Sequence, residues 1–304
     1  MRVTVFGAGA LGSVLGGLMS DSHTVTLVSR EDHVREINAD GLWLDGLAER
    51  KAFPRATVDV RALPVQDLVI LTVKAYDTRT ALHSIAPLLG EETSLLVIQN
   101  GLTVLRDVRE KHPSALVGTA SLGAQYIGPG HVRLTGLGEI VLGNPDDSSD
   151  PCGTALESFR STGIPCNRSD NMTKDVWKKA VISSCINPVT AITRKRNAII
   201  IDDVGINDLA RNCFEESYRV GMSAGLLGPD DMGFTDVEKV ARATAGNRSS
   251  MLQDIEKGKR TEIHNINGEI VRIGMEGMCD VRVNSILVRL VSALSTLQDT
   301  SYDY

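Results

Sequence analysis

The stretch "VTVFGAGALGSVLGG", residues 3–17, decides the fold of the N-terminal half. Its β-branched opening predicts a strand, and its apolar end predicts a helix. Between them the glycines form a G-x-G-x-x-G pattern, which permits a tight turn, a close approach of the backbone to pyrophosphate and close packing of the helix on the strand. The first amides of such a helix also attract phosphate. We predict a dinucleotide-binding loop formed by Gly7, Ala8, Gly9, Ala10, Leu11 and Gly12.

Short apolar runs recur through the first half of the chain and alternate with helical patterns. Continuous runs of this kind suit strands that are buried on both faces of a parallel sheet, and the alternation is typical of a doubly wound sheet. The stretch at 122–136 predicts an added hairpin with a Gly-Pro-Gly turn. The predicted strands are "RVTVF", "TVTLVS", "DLVILTV", "SLLVIQN", "ALVGTA" and "EIVLGN".

After about Asp170 helical patterns replace the strands. The predicted helices are 172–192, 204–226, 235–257, 262–276 and 282–298. We therefore predict an α/β fold, in which an N-terminal Rossmann-type doubly wound parallel sheet is followed by an all-α C-terminal domain. Residues 1–169 are assigned to an NADP-binding domain, and residues 170–304 to a helical substrate-binding and catalytic domain.

The composition argues against several classes of protein. A net charge of −6 without a basic stripe argues against a nucleic-acid binder. The five cysteines are scattered and contain no C-x-x-C pair, so neither a disulfide framework nor a metal site is expected. No signal peptide and no membrane-spanning run is expected, which favours a reducing cytoplasm. The sequence leaves the oligomeric state open, with a homodimer as one alternative.

The end of the second predicted strand bears on the choice of cofactor. Sites for NAD usually place an acidic residue there, whereas this strand ends in Ser29-Arg30. The planar guanidinium of Arg30 can clamp a 2′-phosphate, so we predict NADP(H). The alternative is that Arg30 is a solvated loop charge. Glu31 and Asp32 follow at once, and we expect them to begin the next helix.

Two further strands end in polar residues that point to the same edge of the sheet. Lys74 follows "VILTV", and Asn100 follows "LLVIQ". Ligands of open α/β sheets bind outside the carboxyl ends of the strands. Lys74 can therefore contact cofactor phosphates, and the amide of Asn100 can orient a carbonyl or a lysine. Each can equally be an ordinary turn residue.

The run "VWKKAVISSCINPVTAI", residues 176–192, predicts a helix with one polar stripe. Lys179, Ser183, Asn187 and Thr190 share this stripe, and their neighbours are apolar. Lys178 lies off it. A lysine ammonium can stabilise the charge that develops when hydride reaches a ketone, and can then give up its proton. Pro188 cannot donate to the carbonyl four residues earlier, so we expect the helix to bend or end there and to present the amide of Asn187.

A second polar group follows in "GNRSSMLQDIEKGKRTEIHNINGEIV", residues 246–271. Asn247, Ser250 and Asp254 are spaced as one helical face. The Ser250 hydroxyl suits a substrate carboxylate, while Asp254 is as readily a structural cap. Glu262, on a face with Asn265, can hold a substrate hydroxyl or pair with a lysine. His264 is expected to be structural.

These motifs resemble the ketopantoate reductase (2-dehydropantoate 2-reductase) family over nearly the whole chain. The resemblance implies a Rossmann domain followed by a helical domain. The matching stretches are "VFGAGALG", "TVKAYDT", "IQNGL", "VWKKAVISSCINPVTAI" and "SSMLQDIEKGKRTEIHNINGEIV".

The resemblance also implies roles for individual residues. Trp177 fixes the register of the family's W-x-K pattern, so Lys179 is the implied general acid. Two departures from the family's pattern are Ser183, where an asparagine is common, and "RKRNAI", which lacks the glycine that often follows the asparagine. The implied catalytic residues are Lys179, Glu262 and Asn100, the substrate residues are Ser183, Asn187, Asn197 and Ser250, and the cofactor side adds Arg30, Lys74, Asn100 and Glu262.

The resulting hypothesis is reduction of 2-dehydropantoate to (R)-pantoate by NADPH, with proton donation by Lys179. A reductase of another branched 2-oxo acid is one alternative, because Ser183 can reshape the pocket. A non-catalytic NADP(H) sensor is another, although it would have no need of the polar stripe. A hydroxyacid dehydrogenase of the 6-phosphogluconate-like superfamily would not be expected to carry the string around Lys179.

Overall fold

The computed structural model describes residues 1–146 and 152–297. The strands in this part of the chain are β1 Arg2–Phe6, β2 Thr24–Val28, β3 Leu42–Gly46, β4 Arg50–Ala52, β5 Arg55–Thr57, β6 Leu68–Leu71, β7 Ser94–Ile98, β8 Leu116–Ala120, β9 Gly123–Gly128, β10 His131–Gly136, β11 Ile140–Gly143 and β12 Cys166–Arg168.

The described residues also contain α-helices and three short 3-10 helices, Ala75–Asp77, Ala86–Leu88 and Arg160–Thr162. The α-helices are α1 Ala10–Met19, α2 Glu31–Asp40, α3 Thr78–Ser84, α4 Thr103–Lys111, α5 Gly153–Phe159, α6 Met172–Thr193, α7 Ile199–Asp202, α8 Val204–Ser223, α9 Phe234–Ala243, α10 Ser250–Glu256, α11 Asn267–Glu276 and α12 Arg282–Leu297. No helix in the described part of the chain is both long and apolar enough to cross a membrane.

The chain forms two compact units. The first comprises Met1–Gln99 and Val104–Asp175. The second comprises Asn100–Thr103 and the chain from Val176 onward. The division falls a few residues after the predicted boundary, and the short segment Asn100–Thr103 joins the second unit although it follows a strand of the first. The assignment of cofactor and substrate to the two parts stays a prediction at this point.

The first unit is built on an eight-stranded sheet in the order β12-β11-β8-β7-β6-β1-β2-β5. All neighbouring strands in it pair in parallel except β8 and β11, which are antiparallel. All four residues of β6 are buried, as are the central residues of β1, because helices cover the sheet. The predicted α/β class with a parallel N-terminal sheet is therefore confirmed.

A second, four-stranded sheet in the order β4-β3-β10-β9 also belongs to the first unit. The predicted hairpin forms its β9 and β10, which pair antiparallel. Its partners β3 and β4 were not predicted. Leu42 and Leu44 of β3 are buried against a core that includes Leu18 of α1, so the alternation of buried and open residues in β3 marks it as a half-buried strand.

The second unit is helical, as predicted, but one predicted helix is two. The pattern 235–257 forms α9 and α10, which are separated at 244–249. Ser249 explains the new start, because its side chain accepts a hydrogen bond from the Leu252 amide and so caps α10. The predicted helix 262–276 begins only at Asn267, and α12, predicted as 282–298, is described as far as Leu297.

Candidate active site

The glycine loop of the first unit has the geometry that a dinucleotide requires. Gly7 has φ +94°, and a side chain there would lie 2.5 Å from Val73 Cγ1. A Cβ at Gly12 would lie 2.4 Å from Thr72 Oγ1. A Cβ at Gly9, however, would meet its nearest atom only at 3.9 Å. The packing of the chain therefore explains the first and third glycines, and the open space at Gly9 fits the close approach of a pyrophosphate.

The helix that follows leaves its first amides available. Gly9 is the N-cap of α1, and no side chain caps this end. Ala10 and Leu11 in the first turn are partly exposed, whereas Ala8 is buried and its carbonyl accepts a hydrogen bond from Ser29 Oγ at 2.9 Å. The loop is thus tied to the end of β2. An uncapped helix N-terminus beside open space suits phosphate.

The other predicted cofactor residues of the first unit lie at the same edge of the sheet. Arg30 is exposed at the N-cap of α2, directly after β2, and Glu31 and Asp32 occupy the first turn as expected. Lys74 is partly buried and follows β6. Because β2 and β6 flank β1 in parallel, Arg30, Lys74 and the glycine loop all follow the carboxyl ends of adjacent strands.

His33 is a structural feature of this region that the sequence did not reveal. Its Nδ1 accepts a hydrogen bond from the Gly130 amide at 2.9 Å, so Nε2 carries the proton and donates to Ser13 Oγ at 3.0 Å. Burial lowers the pKa of His33 to about 4, against the opposing effect of Asp32. The neutral ring therefore fixes α1, α2 and the hairpin turn to one another. In the sequence His33 is one histidine among the polar residues of α2, and this pattern does not distinguish a buried structural histidine from an exposed one.

The second unit surrounds Lys179 with groups suited to proton transfer. Burial lowers the pKa of Lys179 to about 8, although the Glu262 carboxylate acts in the opposite direction. Glu262 is 4% exposed and accepts a hydrogen bond from Asn100 Nδ2 at 3.4 Å. Three residues predicted separately therefore lie in one cluster. Lys178 is outside it and lies near Asp236, whose pKa is lowered mainly by the Gly233 amide and Lys239 and least by Lys178.

Backbone and side-chain contacts hold this cluster together. The Asn265 carbonyl accepts from the Leu102 amide at 2.9 Å, and Asn265 Nδ2 donates to Thr103 Oγ1 at 3.0 Å. Gly101 has φ +95°, and a Cβ there would lie 2.6 Å from the same carbonyl. Glycine is therefore required beside Asn100 for the segment Asn100–Thr103 to lie against the segment that carries Glu262.

The stripe on α6 is shorter than predicted. Lys179, Ser183 and Asn187 are partly exposed, as are Lys178 and Ile182 on the neighbouring face, whereas the remaining residues between 180 and 189 are buried. Thr190 is fully buried, and its hydroxyl donates a hydrogen bond to Ser249 Oγ at 2.7 Å. Thr190 therefore packs α6 against the start of α10 and does not extend the open stripe.

We expected the helix to bend or end at Pro188 and to present the amide of Asn187; an end of the helix there, and a displacement of Asn187 from it, are wrong. The helix α6 continues through Pro188 to Thr193. The Ser184 carbonyl, which loses its usual backbone donor, instead accepts a hydrogen bond from Asn267 Nδ2 at 3.1 Å and a weaker one from Cys213 Sγ at 3.3 Å. These substitutes allow the proline to stay within a buried helix. Asn187 keeps its helical conformation.

The remaining substrate candidates lie on two neighbouring segments. Asn197 is buried; its Nδ2 donates to Thr244 Oγ1 at 2.9 Å, while its Oδ1 has no partner among the described residues. The backbone amide of Asn197 also donates a hydrogen bond to the backbone carbonyl of Asn247 at 3.0 Å. Ser250 is exposed in the first turn of α10. Asn247 precedes that helix, because Ser249 caps it, so the predicted single face that included Asn247 was wrong.

The described residues hold no group of three or more His, Cys, Asp or Glu side chains that could bind a metal ion. An ammonium group with a pKa of about 8, next to a buried carboxylate and an amide, is suited to proton donation. Asp254, the remaining candidate of the second polar stretch, is buried in α10.

A Rossmann-type unit with an open glycine loop and a helical unit with a lysine of lowered pKa define the class of nicotinamide-dependent oxidoreductases. The family model described as ketopantoate reductase PanE/ApbA matches residues 3–147, and the model of its C-terminal part matches residues 171–295. The chain belongs to this family, and it is an oxidoreductase that uses a nicotinamide cofactor.

Individual relatives resemble the chain over nearly its whole length. The 2-dehydropantoate 2-reductase of Pyrococcus horikoshii is 32% identical and covers 98% of each chain. That of Archaeoglobus fulgidus is 33% identical over 97% of this chain and 98% of its own. A PanE/ApbA family ketopantoate reductase from Ralstonia eutropha has a similar crystal structure, with a TM-score of 0.90, 30% identity and coverage of 99% and 100%. A D-mandelate dehydrogenase in complex with NADH and anilino(oxo)acetate, 23% identical with a TM-score of 0.89, shows the same fold.

Proposed function

We propose that this protein reduces 2-dehydropantoate to (R)-pantoate with NADPH. The observation that carries the proposal is the cluster of Lys179, Glu262 and Asn100 in a member of the ketopantoate reductase family. Curated relatives with 2-dehydropantoate 2-reductase activity match the chain from end to end, which supports the same substrate.

The chain's own residues supply the proton and hold the reactants. When bound, the nicotinamide supplies the hydride. Lys179 Nζ donates a proton to the oxygen of the former keto group, since its pKa of about 8 leaves it protonated at neutral pH and able to transfer the proton. Glu262 stabilises the ammonium before transfer, and Asn100 orients the Glu262 carboxylate.

Polar residues of the helical unit bind the acid. Ser183 and Asn187 offer a hydroxyl and an amide from the open stripe of α6, and Ser250 offers an exposed hydroxyl. Asn197 has a buried oxygen without a partner among the described residues, which can accept from a substrate hydroxyl. These groups are proposed to hold the carboxylate and hydroxyl of the substrate.

The cofactor is proposed to be NADPH because a cation, not an acid, follows β2. Arg30 is exposed at that position, where its guanidinium can bind a 2′-phosphate. Lys74 follows β6 at the same edge of the sheet and is proposed to contact the phosphates.

The test is NADPH oxidation by the purified protein with a panel of 2-oxo acids that includes 2-dehydropantoate. The proposal predicts the largest kcat/KM for 2-dehydropantoate. A larger value for another branched 2-oxo acid would overturn the substrate assignment. No turnover with any member, despite measurable NADPH binding, would show a cofactor-binding protein without this activity.

A further inference from the structure

A cavity of about 370 Å³ in the helical unit is lined by an excess of positive charge. Arg194, Lys195 and Arg196 reach it from the connection between α6 and α7, and Arg248 reaches it from the segment before α10. Asp202 is the one carboxylate among the lining residues. None of the lining residues belongs to the glycine loop or to the Lys179 cluster.

Most of this positive charge is not neutralised by the protein. Within residues 1–146 and 152–297, Arg194 and Lys195 have no ion-pair partner, and both are exposed. Arg196 donates through Nη1 to the uncharged carbonyl of Gly246, which fixes the guanidinium without cancelling its charge. Arg248 pairs with Glu256 at 3.0 Å. The cavity therefore keeps a clear positive excess.

The backbone at Arg194 adds an independent observation. Arg194 follows the last residue of α6 with φ +54°, in the left-handed region where glycine is the usual residue after a helix. A long side chain is disfavoured in this conformation. The chain thus places a cation at the cavity in a backbone conformation that glycine would adopt at a lower cost in free energy.

We propose that this cavity is a second anion site, separate from the cofactor loop, which binds a small molecule carrying a diphosphate group. A monocarboxylate needs a single bidentate arginine, whereas three cations without an ion pair among the described residues, beside a fourth that pairs with Glu256, match a ligand with several negative oxygens. The volume is large enough for a diphosphate group.

A ligand in this cavity is placed to act on substrate binding. Arg196 directly precedes Asn197, and Arg248 lies two residues before Ser250. The two segments are already joined by the hydrogen bond from the Asn197 amide to the Asn247 carbonyl at 3.0 Å. The site is therefore also an effector site, at which the bound anion changes substrate binding. This effector role rests on the proposed function, whereas the binding of the anion does not.

Isothermal titration with inorganic pyrophosphate tests the binding. The protein is first saturated with NADPH, so that phosphate subsites of the cofactor are filled. The double variant Arg194→Ala/Lys195→Ala is compared with Arg219→Ala/Arg289→Ala, which removes two exposed cations of the same unit outside the cavity. We expect one pyrophosphate per chain in the parent and the control, and binding at least about tenfold weaker in the cavity variant.

Equal affinity in the two double variants, or no binding by the parent, would overturn the site. Citrate binding as tightly as pyrophosphate would overturn the assignment to diphosphate. In the assay with 2-dehydropantoate, pyrophosphate is expected to change KM more than kcat in the parent and not in the cavity variant. Binding without this change in KM would keep the site and overturn its effector role.

Discussion

Lys179 is the residue whose environment departs furthest from that of an ordinary surface lysine. Lys178 and Lys179 have the same chemistry, but Lys179 lies near the Glu262 carboxylate, and burial lowers its pKa to about 8. A general acid is most effective when its pKa is close to the working pH. The Glu262 carboxylate limits the shift, so the ammonium stays protonated at neutral pH and can still release its proton.

This environment predicts the pH dependence of the reaction. Lys179 must be protonated to act as an acid, and its pKa lies below the ordinary value, so kcat/KM for reduction should be constant well below about pH 8 and should fall as the pH rises through it. The measurement is kcat/KM for 2-dehydropantoate from about pH 6 to pH 10, because kcat/KM reports the pKa before the substrate binds. A profile that stays flat until about pH 10 would contradict the lowered pKa of Lys179.

Arg30 predicts the preference between cofactors. Its loss removes the charged partner of the 2′-phosphate, so Arg30→Ala should weaken NADPH binding by about 2 kcal/mol, roughly thirtyfold, and NADH binding much less. Fluorescence titration with both cofactors measures this. Arg168→Ala serves as the control, because Arg168 is an exposed cation on β12, the strand at the opposite edge of the sheet from β2 and β5. Equal losses of both cofactors in Arg30→Ala would show that the guanidinium does not read the 2′-phosphate.

At the scale of elements, α6 is a helix maintained by a neighbour in spite of its proline. Asn267 uses the two hydrogens of its amide on the Ser184 carbonyl and on Asn284 Oδ1, at 3.1 and 2.9 Å. Asn284 in turn donates to Glu216 Oε1 at 2.7 Å. A buried network thus replaces the hydrogen bond that Pro188 cannot make, and it keeps Ser183 and Asn187 in helical register.

A double-mutant cycle tests this compensation. In the parent, Asn267→Ala leaves the Ser184 carbonyl with only the weak Cys213 donor and should cost about 1–3 kcal/mol of unfolding free energy. In a Pro188→Ala background the new amide can donate to that carbonyl, so the same change should cost about 1 kcal/mol less. Chemical denaturation of the four proteins gives the coupling. Identical costs in both backgrounds would show that Asn267 does not compensate for Pro188.

The glycine loop predicts a separation of binding from folding. A Cβ at Gly12 would overlap Thr72 Oγ1 at 2.4 Å, so Gly12→Ala should lower the unfolding free energy by about 1–3 kcal/mol. Gly9→Ala meets no atom closer than 3.9 Å and should leave the thermal midpoint nearly unchanged while weakening NADPH binding about tenfold or more. Unaltered NADPH affinity in Gly9→Ala would show that the open space there is not used by the cofactor.

At the scale of the whole molecule, the sequence predicts the major sheet well and the minor one poorly. β1, β2, β6 and β7 are continuous runs rich in β-branched residues or leucine, which are typical of strands buried on both faces. β3 and β4 are short and mixed in polarity, and their burial depends on the distant hairpin of β9 and β10, which a local pattern cannot reveal.

The candidate site shows the same contrast. Helical spacing is local, so it placed Lys179 and Ser183 on one stripe. The partners of Lys179 are brought in by residues far along the chain: Asn100 precedes Glu262 by 162 positions, and Gly101 makes their contact sterically feasible. The compensation of Pro188 by Asn267 likewise depends on tertiary packing. A rule about proline that considers only its own helix therefore allowed an end of α6 at Pro188, which the structure does not have.

The most direct test of the account compares kcat for NADPH-dependent reduction of 2-dehydropantoate in Lys179→Ala and Lys178→Ala. The two variants lose the same side chain from adjacent positions of α6, so charge and composition are matched. The account predicts that Lys179→Ala lowers kcat by about two to four powers of ten, because it removes the acid, and that Lys178→Ala changes kcat less than about threefold. A large loss in Lys178→Ala with near-normal kcat in Lys179→Ala would contradict it.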